Sequence, residues 1–276
     1  MEYFYFIKAL RIVRYILIFC IILFVFKVTA NERLYLAFND QCPYTCADKP
    51  QKSLVVTIMN EVYKQENIGV ELVLIPFSRV MKLIITGRAS GKKDSQIIHA
   101  VFMTKADNPD LIFPKIPVVK DNQCFYTLND SLWKYNPTLQ SDNVVLGVKA
   151  GSNFPEIERL IYSLKAKNKL TEISPSNGFE HLFKMLLKKR IDAIYDVSAS
   201  IEYIAGKHNA GKLIKKGWCE SNYVEGVIGF SPAYPKKSAM LAKIWDENYP
   251  KLLAQGAFDS IFDSYDLTKP LIEVSN

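Results

Sequence analysis

Residues 144–161, VVLGVKAGSNFPEIERLI, carry the strand, turn and helix signals that decide the fold. The apolar run over 144–150 predicts a buried strand, which ends in the turn Gly151-Ser152-Asn153. Asn153 and Glu156 stand at the spacing of a capping box, which predicts that a helix starts here. Beyond the turn, apolar residues repeat at the spacing of one helix face: Phe154, Ile157, Leu160, Ile161 and Leu164.

Strand and helix signals alternate on both sides of this stretch. Before it, the pattern predicts strands over 33–39, 70–76, 97–103 and 124–128, and helices from residue 53 and over 78–86. After it, the pattern predicts strands over 191–197 and 224–230, and helices over 179–190, 200–207, 240–253 and 258–265. A β-α-β-α-β order requires right-handed crossovers and predicts parallel pairing. Because the order starts twice, we expect two α/β units, followed by C-terminal helices.

The first 30 residues predict a secretory signal peptide. Lys8, Arg11 and Arg14 precede the apolar run 15–26, and the small residues before Ala30 suit cleavage after that position. The run has 12 residues, whereas a membrane-spanning helix needs about 20. An uncleaved membrane anchor over residues 4–26 is the alternative.

Composition and charge exclude several classes of protein. The 276 residues are 49% hydrophobic and 23% charged, which is too apolar for a disordered chain and enough for one large domain or two smaller ones. Residues 1–30 hold four of the 35 basic residues and one of the 28 acidic residues, so the rest has 31 against 27 and a net charge of +4. This modest charge predicts no nucleic-acid partner.

Local motifs for catalysis and for metal binding are absent from the sequence. No G-x-G-x-x-G follows a strand, and there is no Walker loop, G-x-S-x-G or H-E-x-x-H. The sequence therefore predicts no catalytic residue, no metal and no cofactor. The pair Cys42-x-x-x-Cys46 allows a metal site, but an oxidising compartment favours a loop disulfide.

The order of these motifs resembles the periplasmic solute-binding proteins of family 3, which bind polar amino acids for ABC importers. The family's V-G-V-x-x-G-S is present as LGVKAGS over 146–152, and its G-R-x-D-A-x-x as KRIDAIY over 189–195. Pro43-Tyr44, Gly87 and Thr104 follow the pattern of the family's first lobe. The resemblance covers essentially all of residues 31–268.

This resemblance implies an α/β, two-lobed periplasmic-binding-protein fold of type II. Each lobe would be a Rossmann-like sheet with helices, and two crossover strands would form the hinge. Lobe 1 would contain residues 31–122 and 222–276, and lobe 2 would contain residues 123–221, after a signal peptide over 1–30. The ligand would bind in the cleft between the lobes, which would close by hinge motion.

Several residues would face this cleft. Gly151-Ser152-Asn153 would offer backbone N–H groups to a carboxylate, and Tyr44 matches an aromatic that stacks on the ligand. Arg79 could pair with a ligand anion, and Asp196 lies near the family's ammonium-binding Asp. A capped helix, a packed loop aromatic and a surface salt bridge are the structural alternatives. The predicted ligand-binding residues are Tyr44, Phe77, Arg79, Thr104, Lys105, Gly151, Ser152, Asn153, Phe154 and Asp196.

One departure from the family concerns the carboxylate of the ligand. The family usually has T-x-x-R after the third strand, and this Arg grips the α-carboxylate. Residues 104–108, TKADN, contain no Arg, and only Lys105 could supply a positive charge. Lys does not reproduce the planar fork of Arg. We therefore expect a divergent member that binds an amino acid or a related anionic or zwitterionic molecule.

The implied layout also suggests how the cysteines pair. Cys42 and Cys46 would staple the loop that carries Tyr44. Cys124 and Cys219 would both lie near the crossover strands, which suggests a bond across the hinge. Four cysteines allow three pairings, and 42–46 with 124–219 is the hypothesis.

The function predicted from the sequence is capture of a small polar solute in the periplasm. The protein would be a monomer without enzymatic activity that delivers its solute to an ABC importer or a sensor. Two alternatives remain open at this point: an enzyme on the same fold, such as a dehydratase, and a sensor domain anchored in the membrane by residues 4–26.

Overall fold

Two five-stranded sheets organise the part of the chain that the structure describes. The structure is a computed structural model, and it describes residues 32–90, 96–139, 142–174, 178–265, 267 and 269–270. The described residues from Arg33 onward belong to one compact unit. The signal peptide predicted over 1–30 and the alternative anchor over 4–26 lie outside the described residues. No helix within them is long and apolar enough to cross a membrane.

The first sheet has the strand order β2-β1-β3-β10-β4. Its strands are β1 (Glu32–Phe38), β2 (Ile68–Leu74), β3 (Ala100–Thr104), β4 (Val119–Asp121) and β10 (Val224–Phe230). β1 and β3 pair in parallel, as the β-α-β order predicts. β10 runs antiparallel to both β3 and β4, so the sheet as a whole is mixed.

The second sheet has the strand order β7-β6-β8-β5-β9. Its strands are β5 (Gln123–Leu128), β6 (Leu146–Lys149), β7 (Leu170–Ile173), β8 (Ala193–Val197) and β9 (Ile214–Cys219). β6 pairs in parallel with β7 and β8, and β5 is antiparallel to β8 and β9.

Helices pack on both faces of each sheet. They are α1 (Leu54–Lys64), α2 (Phe77–Leu83), α3 (Glu158–Ala166), α4 (Gly178–Leu187), α5 (Ser198–Lys207), α6 (Pro235–Ala254) and α7 (Asp259–Ser264). In the first sheet, α1, α6 and α7 pack on one face and α2 on the other. In the second sheet, α4 and α5 pack on one face and α3 on the other.

Alternation along the strands places their side chains on these two faces. Leu34 and Leu36 of β1 join the cluster of α1 and α6, whereas Ala37 joins the cluster of α2. Ile194 of β8 packs with α4 and α5, whereas Tyr195 packs with α3. Both faces of the central strands β3, β6 and β8 are buried, which explains why these strands are mostly apolar rather than polar-apolar alternations.

The chain changes sheets twice. It passes from β4 to β5 through Asn122 and returns from β9 to β10 over residues 220–223. The helices α6 and α7 then pack on the first sheet. The first crossing follows the end of β4, and the second follows the end of β9.

The four described cysteines lie in two pairs at disulfide distance. The sulfurs of Cys42 and Cys46 are 2.20 Å apart, and those of Cys124 and Cys219 are 2.10 Å apart, which is the pairing of the hypothesis. Cys124 and Cys219 face each other on β5 and β9. Their bond therefore lies within the second sheet, beside both crossings, rather than between the two sheets.

The structure corrects the predicted start of the helix after Gly151. α3 begins only at Glu158, after a 3-10 turn over Pro155–Ile157. The N-cap of that turn is Phe154, which makes no side-chain cap hydrogen bond, so the predicted capping box of Asn153 and Glu156 is wrong. A residue before proline is driven away from helical geometry, and Phe154 has φ −128° and ψ 76°.

Candidate ligand-binding cleft

A narrow cavity lies where the two sheets face each other. Its volume is about 30 Å³, which corresponds to about two water molecules. The first sheet and its loops contribute Gln41, Tyr44, Phe102, Met103, Thr104, Asp107, Val119, Asp121, Val224 and Gly226, and the second contributes Gln123, Lys149, Ser152, Asp196 and Val197. Thr104, Lys149 and Asp196 stand at or near the carboxyl ends of β3, β6 and β8, where open α/β sheets bind ligands.

Asp196 lines this cavity and has a buried carboxylate oxygen without a hydrogen-bond partner. The residue is 3% exposed. Its Oδ1 accepts a hydrogen bond from the Val197 N–H at 2.8 Å, whereas its buried Oδ2 accepts none. Burial raises the pKa of Asp196 to about 6; the Lys149 ammonium opposes this rise, and Asp107 and Asp121 add to it. An unpaired buried oxygen is costly, so a donor brought by a ligand would stabilise this group.

Lys149 brings a buried ammonium to the same cavity, but the surrounding residues already hold it. Nζ donates a hydrogen bond to Gln41 Oε1 at 2.8 Å, across from the second sheet to the loop after β1. It also lies 4.0 Å from the centroid of the Phe77 ring and 5.4 Å from that of Phe179. Both distances suit cation–π contact, so Lys149 joins the two lobes.

Asp107 binds the Gly151-Ser152-Asn153 turn, at which the resemblance implies that a ligand carboxylate binds. Oδ2 accepts hydrogen bonds from the N–H and hydroxyl of Thr104, at 3.1 and 2.9 Å, and Oδ1 accepts one from the Asn153 N–H at 2.8 Å. A carboxylate of the first lobe therefore already binds the backbone of the Gly151-Ser152-Asn153 turn.

Asp121 lies at the first crossing and accepts four hydrogen bonds. Oδ1 accepts from Asn122 N–H at 2.7 Å and from the Ser198 hydroxyl at 2.8 Å. Oδ2 accepts from the Tyr44 hydroxyl and from the Ala199 N–H. Because both oxygens are satisfied, Asp121 fixes the crossing and the start of α5 to the Tyr44 loop. Burial and Asp121 raise the pKa of Tyr44, which keeps its hydroxyl a neutral donor.

Gly151 allows the second lobe to approach the first closely. Its φ is +89°, and a Cβ at this position would lie 2.8 Å from the Ser78 Cα at the start of α2. Beside it, the hydroxyls of Ser78 and Ser174 are 2.5 Å apart. Only glycine combines the positive φ with this backbone contact.

Four of the predicted binding residues line the cavity: Tyr44, Thr104, Ser152 and Asp196. The Tyr44 ring lies 5.3 Å from that of Phe102 and is almost fully buried. Phe77 stands behind Lys149, and Asn153 takes part through its backbone N–H. Whether these residues bind a ligand stays a prediction.

The remaining predicted residues lie away from the cavity lining. Arg79 is exposed on α2, and the Lys105 ammonium lies 3.6 Å from Glu225 Oε2. Phe154 packs edge-on against Tyr195 in the core of the second sheet, with ring centroids 5.4 Å apart. Gly151 contacts Ser78 rather than the cavity.

Sequence reasoning missed three of the four charged residues of the cavity. Lys149 stands at a variable position inside the 146–152 motif, and Asp107 stands three residues after Thr104, at the place of the family's Arg. Asp121 lies where the first crossing was expected. The position of Asp107 was the strongest available signal, because it reverses the charge expected there.

A second, wider hollow lies behind Asp121 and has a volume of about 860 Å³. Its charged groups include the surface pair of Lys216 and Glu202, which are 3.1 Å apart. Among the described residues, none that line this hollow has a buried polar side-chain atom without a partner. The narrow cavity at Asp196 is therefore the stronger candidate site.

Comparisons with known proteins place this geometry in a known fold. No protein-family model matches the chain, and no curated protein matches it. Solved structures do match. One is an ABC uptake transporter substrate-binding protein from Streptococcus pneumoniae with bound histidine, at 17% identity and a TM-score of 0.68, covering 86% of this chain and 93% of that one.

Two further solved structures have the same fold. An ancestral arginine-binding protein bound to arginine matches at 18% identity and a TM-score of 0.63, over 84% of this chain and 97% of that one. A histidine kinase sensor domain with similarity to periplasmic binding proteins matches at 11% identity and a TM-score of 0.66, over 87% and 98%. The chain therefore has the two-lobed α/β fold of periplasmic binding proteins, as the sequence predicts.

Proposed function

We propose that this chain is an exported solute-binding protein that captures a small polar molecule between its two lobes and presents it to an ABC importer. The signal peptide over 1–30 is removed after Ala30, and the mature protein acts as a monomer in the periplasm. The lobes contain residues 31–122 with 222–276, and residues 123–221, and they move about the crossings at Asn122 and over 220–223.

The observation that carries this proposal is the buried, unpartnered Oδ2 of Asp196, a residue that lines a cavity to which both lobes contribute. A binding protein needs polar groups that a ligand satisfies and that water reaches when the lobes separate. Asp196 is such a group, and Thr104, Gln123 and Ser152 surround the same space. A ligand that contacts both lobes stabilises the closed arrangement, because its contacts are complete only there.

The size of the cavity supports capture by lobe movement. About 30 Å³ holds roughly two waters, so a ligand as large as an amino acid enters only when the lobes are further apart. The contacts between the lobes include two polar ones, the hydrogen bonds of Lys149 to Gln41 and of Asn153 to Asp107. Such contacts exchange with water at little net cost, which suits an opening motion.

A thermal-shift screen of amino acids, small carboxylates and amines tests the proposal, followed by calorimetry and small-angle scattering of each hit. We expect a ligand to raise the melting temperature by mass action and to lower the radius of gyration as the lobes close. Asp196→Asn should weaken binding, whereas the exposed control Asp130→Asn should not change it. If no polar solute binds, or if Asp196→Asn binds as well as the original chain, the proposal is wrong.

A sensor domain is the second candidate, and the solved histidine kinase sensor domain with this fold favours it. The capture step is the same, but the N-terminal segment would remain as an anchor. Mass analysis of the protein from its native membrane and periplasmic fractions separates the two. A soluble chain that starts at Asn31 supports the importer protein, and a membrane-bound chain that retains Met1 supports the sensor.

A further inference from the structure

We infer that the cleft selects a compact organic cation, an amine or guanidinium compound without a free carboxylate. This inference rests on the proposed function and names the chemical class of its solute. It differs from the anionic or zwitterionic molecule that the sequence led us to expect.

The charges of the cavity favour a cation. Three carboxylates, Asp107, Asp121 and Asp196, line it together with one ammonium, that of Lys149. When all four are ionised, three negative charges against one positive leave a net formal charge of −2. In a buried site, where the dielectric constant is low, this excess of negative charge attracts a positive ligand and repels a carboxylate.

The hydrogen-bond partners point the same way. The Lys149 ammonium already contacts Gln41 and the Phe77 ring, so it is not available to bind an anionic ligand. Asp196 Oδ2, by contrast, is a buried acceptor without a donor. A ligand ammonium or guanidinium would supply that donor and a counter-charge in one contact.

The backbone N–H group that could bind a ligand carboxylate already has an acceptor. The Asn153 N–H donates to Asp107 Oδ1 at 2.8 Å, and Asp107 is itself held by two hydrogen bonds from Thr104. A ligand carboxylate at this turn would have to displace Asp107 and then lie beside the displaced negative charge. Binding of an amino acid therefore costs the hydrogen bond between Asp107 and the Asn153 N–H, whereas binding of an amine without a carboxylate leaves that hydrogen bond in place.

Two aromatic rings add to the preference of the cavity for a cation. Tyr44 and Phe102 both line it, with ring centroids 5.3 Å apart. Aromatic faces attract organic cations, and they provide apolar contact for the methylene groups of an amine. The free volume of about 30 Å³ accommodates a head group of ammonium size.

Matched pairs of ligands test this inference by isothermal titration calorimetry on the mature chain. The pairs are agmatine with arginine, histamine with histidine, and putrescine with ornithine, which differ by the carboxylate. We expect at least one amine to bind at least tenfold more tightly than its amino acid. The amide of the same amino acid should recover most of the difference, because it removes the negative charge at nearly constant size.

Two variants connect the preference to the named residues. Asp196→Asn should weaken amine binding at least thirtyfold, with the exposed Asp130→Asn as the control and circular dichroism to verify folding. Asp107→Asn should lower the ratio of amine to amino-acid affinity. The variant removes the negative charge beside the Asn153 N–H, so a ligand carboxylate is repelled less strongly there.

The outcomes separate the inference from the proposed function. If an amino acid binds as tightly as its amine or more tightly, the cation preference is wrong, and the solute-binding function stands. If neutral or anionic solutes bind and no amine does, the preference is again wrong. If nothing in the pairs or in the wider screen binds, both the function and the preference are wrong.

Discussion

Asp121 and Asp196 are two carboxylates of one cavity that differ in how many donors they meet. Asp121, at the first crossing, accepts four hydrogen bonds, from Asn122, Ser198, Tyr44 and Ala199. Asp196 accepts one, and its second oxygen is buried without a partner. The first group is complete in the folded chain, whereas the second becomes complete only with a ligand. The difference separates the structural part of the cleft from its binding part.

Replacing the satisfied carboxylate should have the largest effect on stability. In Asp121→Asn, the amide nitrogen would face a backbone N–H, and the charge that strengthens four hydrogen bonds is lost. We expect the free energy of unfolding to fall by about 2–3 kcal/mol, measured by urea denaturation with all cysteines oxidised. An unchanged denaturation midpoint would contradict the structural role of Asp121.

Replacing the unsatisfied carboxylate should have the opposite sign. Asp196→Asn removes a buried charge whose Oδ2 has no hydrogen-bond partner, so the free energy of unfolding at pH 7 should rise by about 2 kcal/mol, while amine binding is weakened. The same denaturation experiment measures it beside Asp121→Asn. If both variants destabilise the chain by similar amounts, the contrast between the two carboxylates does not hold.

We expect closure of the lobes to depend on the contact between Gly151 and Ser78. Gly151→Ala would strain a positive φ and place a Cβ 2.8 Å from the Ser78 backbone, so we expect ligand affinity to fall about tenfold, with a stability loss of about 1 kcal/mol. Gly206→Ala is the matched control, because no atom lies within 4 Å of its added Cβ. Equal affinities of the two variants would show that this contact does not control closure.

Protonation of Asp196 should weaken binding of a cation. With a pKa of about 6, raised by burial, this group is mostly ionised at pH 7.5 and mostly protonated at pH 5. Lys149, Asp107 and Asp121 are the charged groups that act on the Asp196 carboxylate. Affinity for an amine should therefore fall about tenfold between pH 7.5 and pH 5. Calorimetry at both values measures the change, which should vanish in Asp196→Asn.

Protonation of Asp196 should stabilise the folded chain, although it weakens the binding of an amine. The pKa of Asp196 is raised in the folded chain, so the folded state binds a proton more strongly than the unfolded state does. As pH falls from 7 toward 4, this group alone should increase the free energy of unfolding. The difference between the original chain and Asp196→Asn should therefore shrink over that range, and a constant difference would contradict the raised pKa.

The architecture could be predicted from the sequence because most strands are apolar runs. β1, β8 and β10 consist mostly of apolar residues, as buried faces on both sides require. β7 and β9 escaped prediction because they lie at the two edges of the second sheet and carry exposed residues such as Lys216. β4 is only three residues long, too short for a periodic signal.

The site could be predicted only in part, because its key contacts join residues that are far apart in sequence. Lys149 and Gln41 are 108 residues apart, and Asn153 and Asp107 are 46 apart. No local pattern reports such a pairing. Tyr44, Thr104, Ser152 and Asp196 were expected because each stands in a motif with a known place in the fold, whereas the partners of Lys149 and Asp107 depend on how the lobes close.

A carboxyl carbon NMR titration of Asp196, assigned by comparison with Asp196→Asn, tests most directly whether the ligand reaches the unpaired oxygen. Without ligand, we predict a pKa of about 6. With a saturating amine, the pKa should fall well below that value, because the bound cation stabilises the ionised form. If the pKa stays the same when the amine is bound, the ligand does not reach Asp196, and the proposed role of its unpaired oxygen is contradicted.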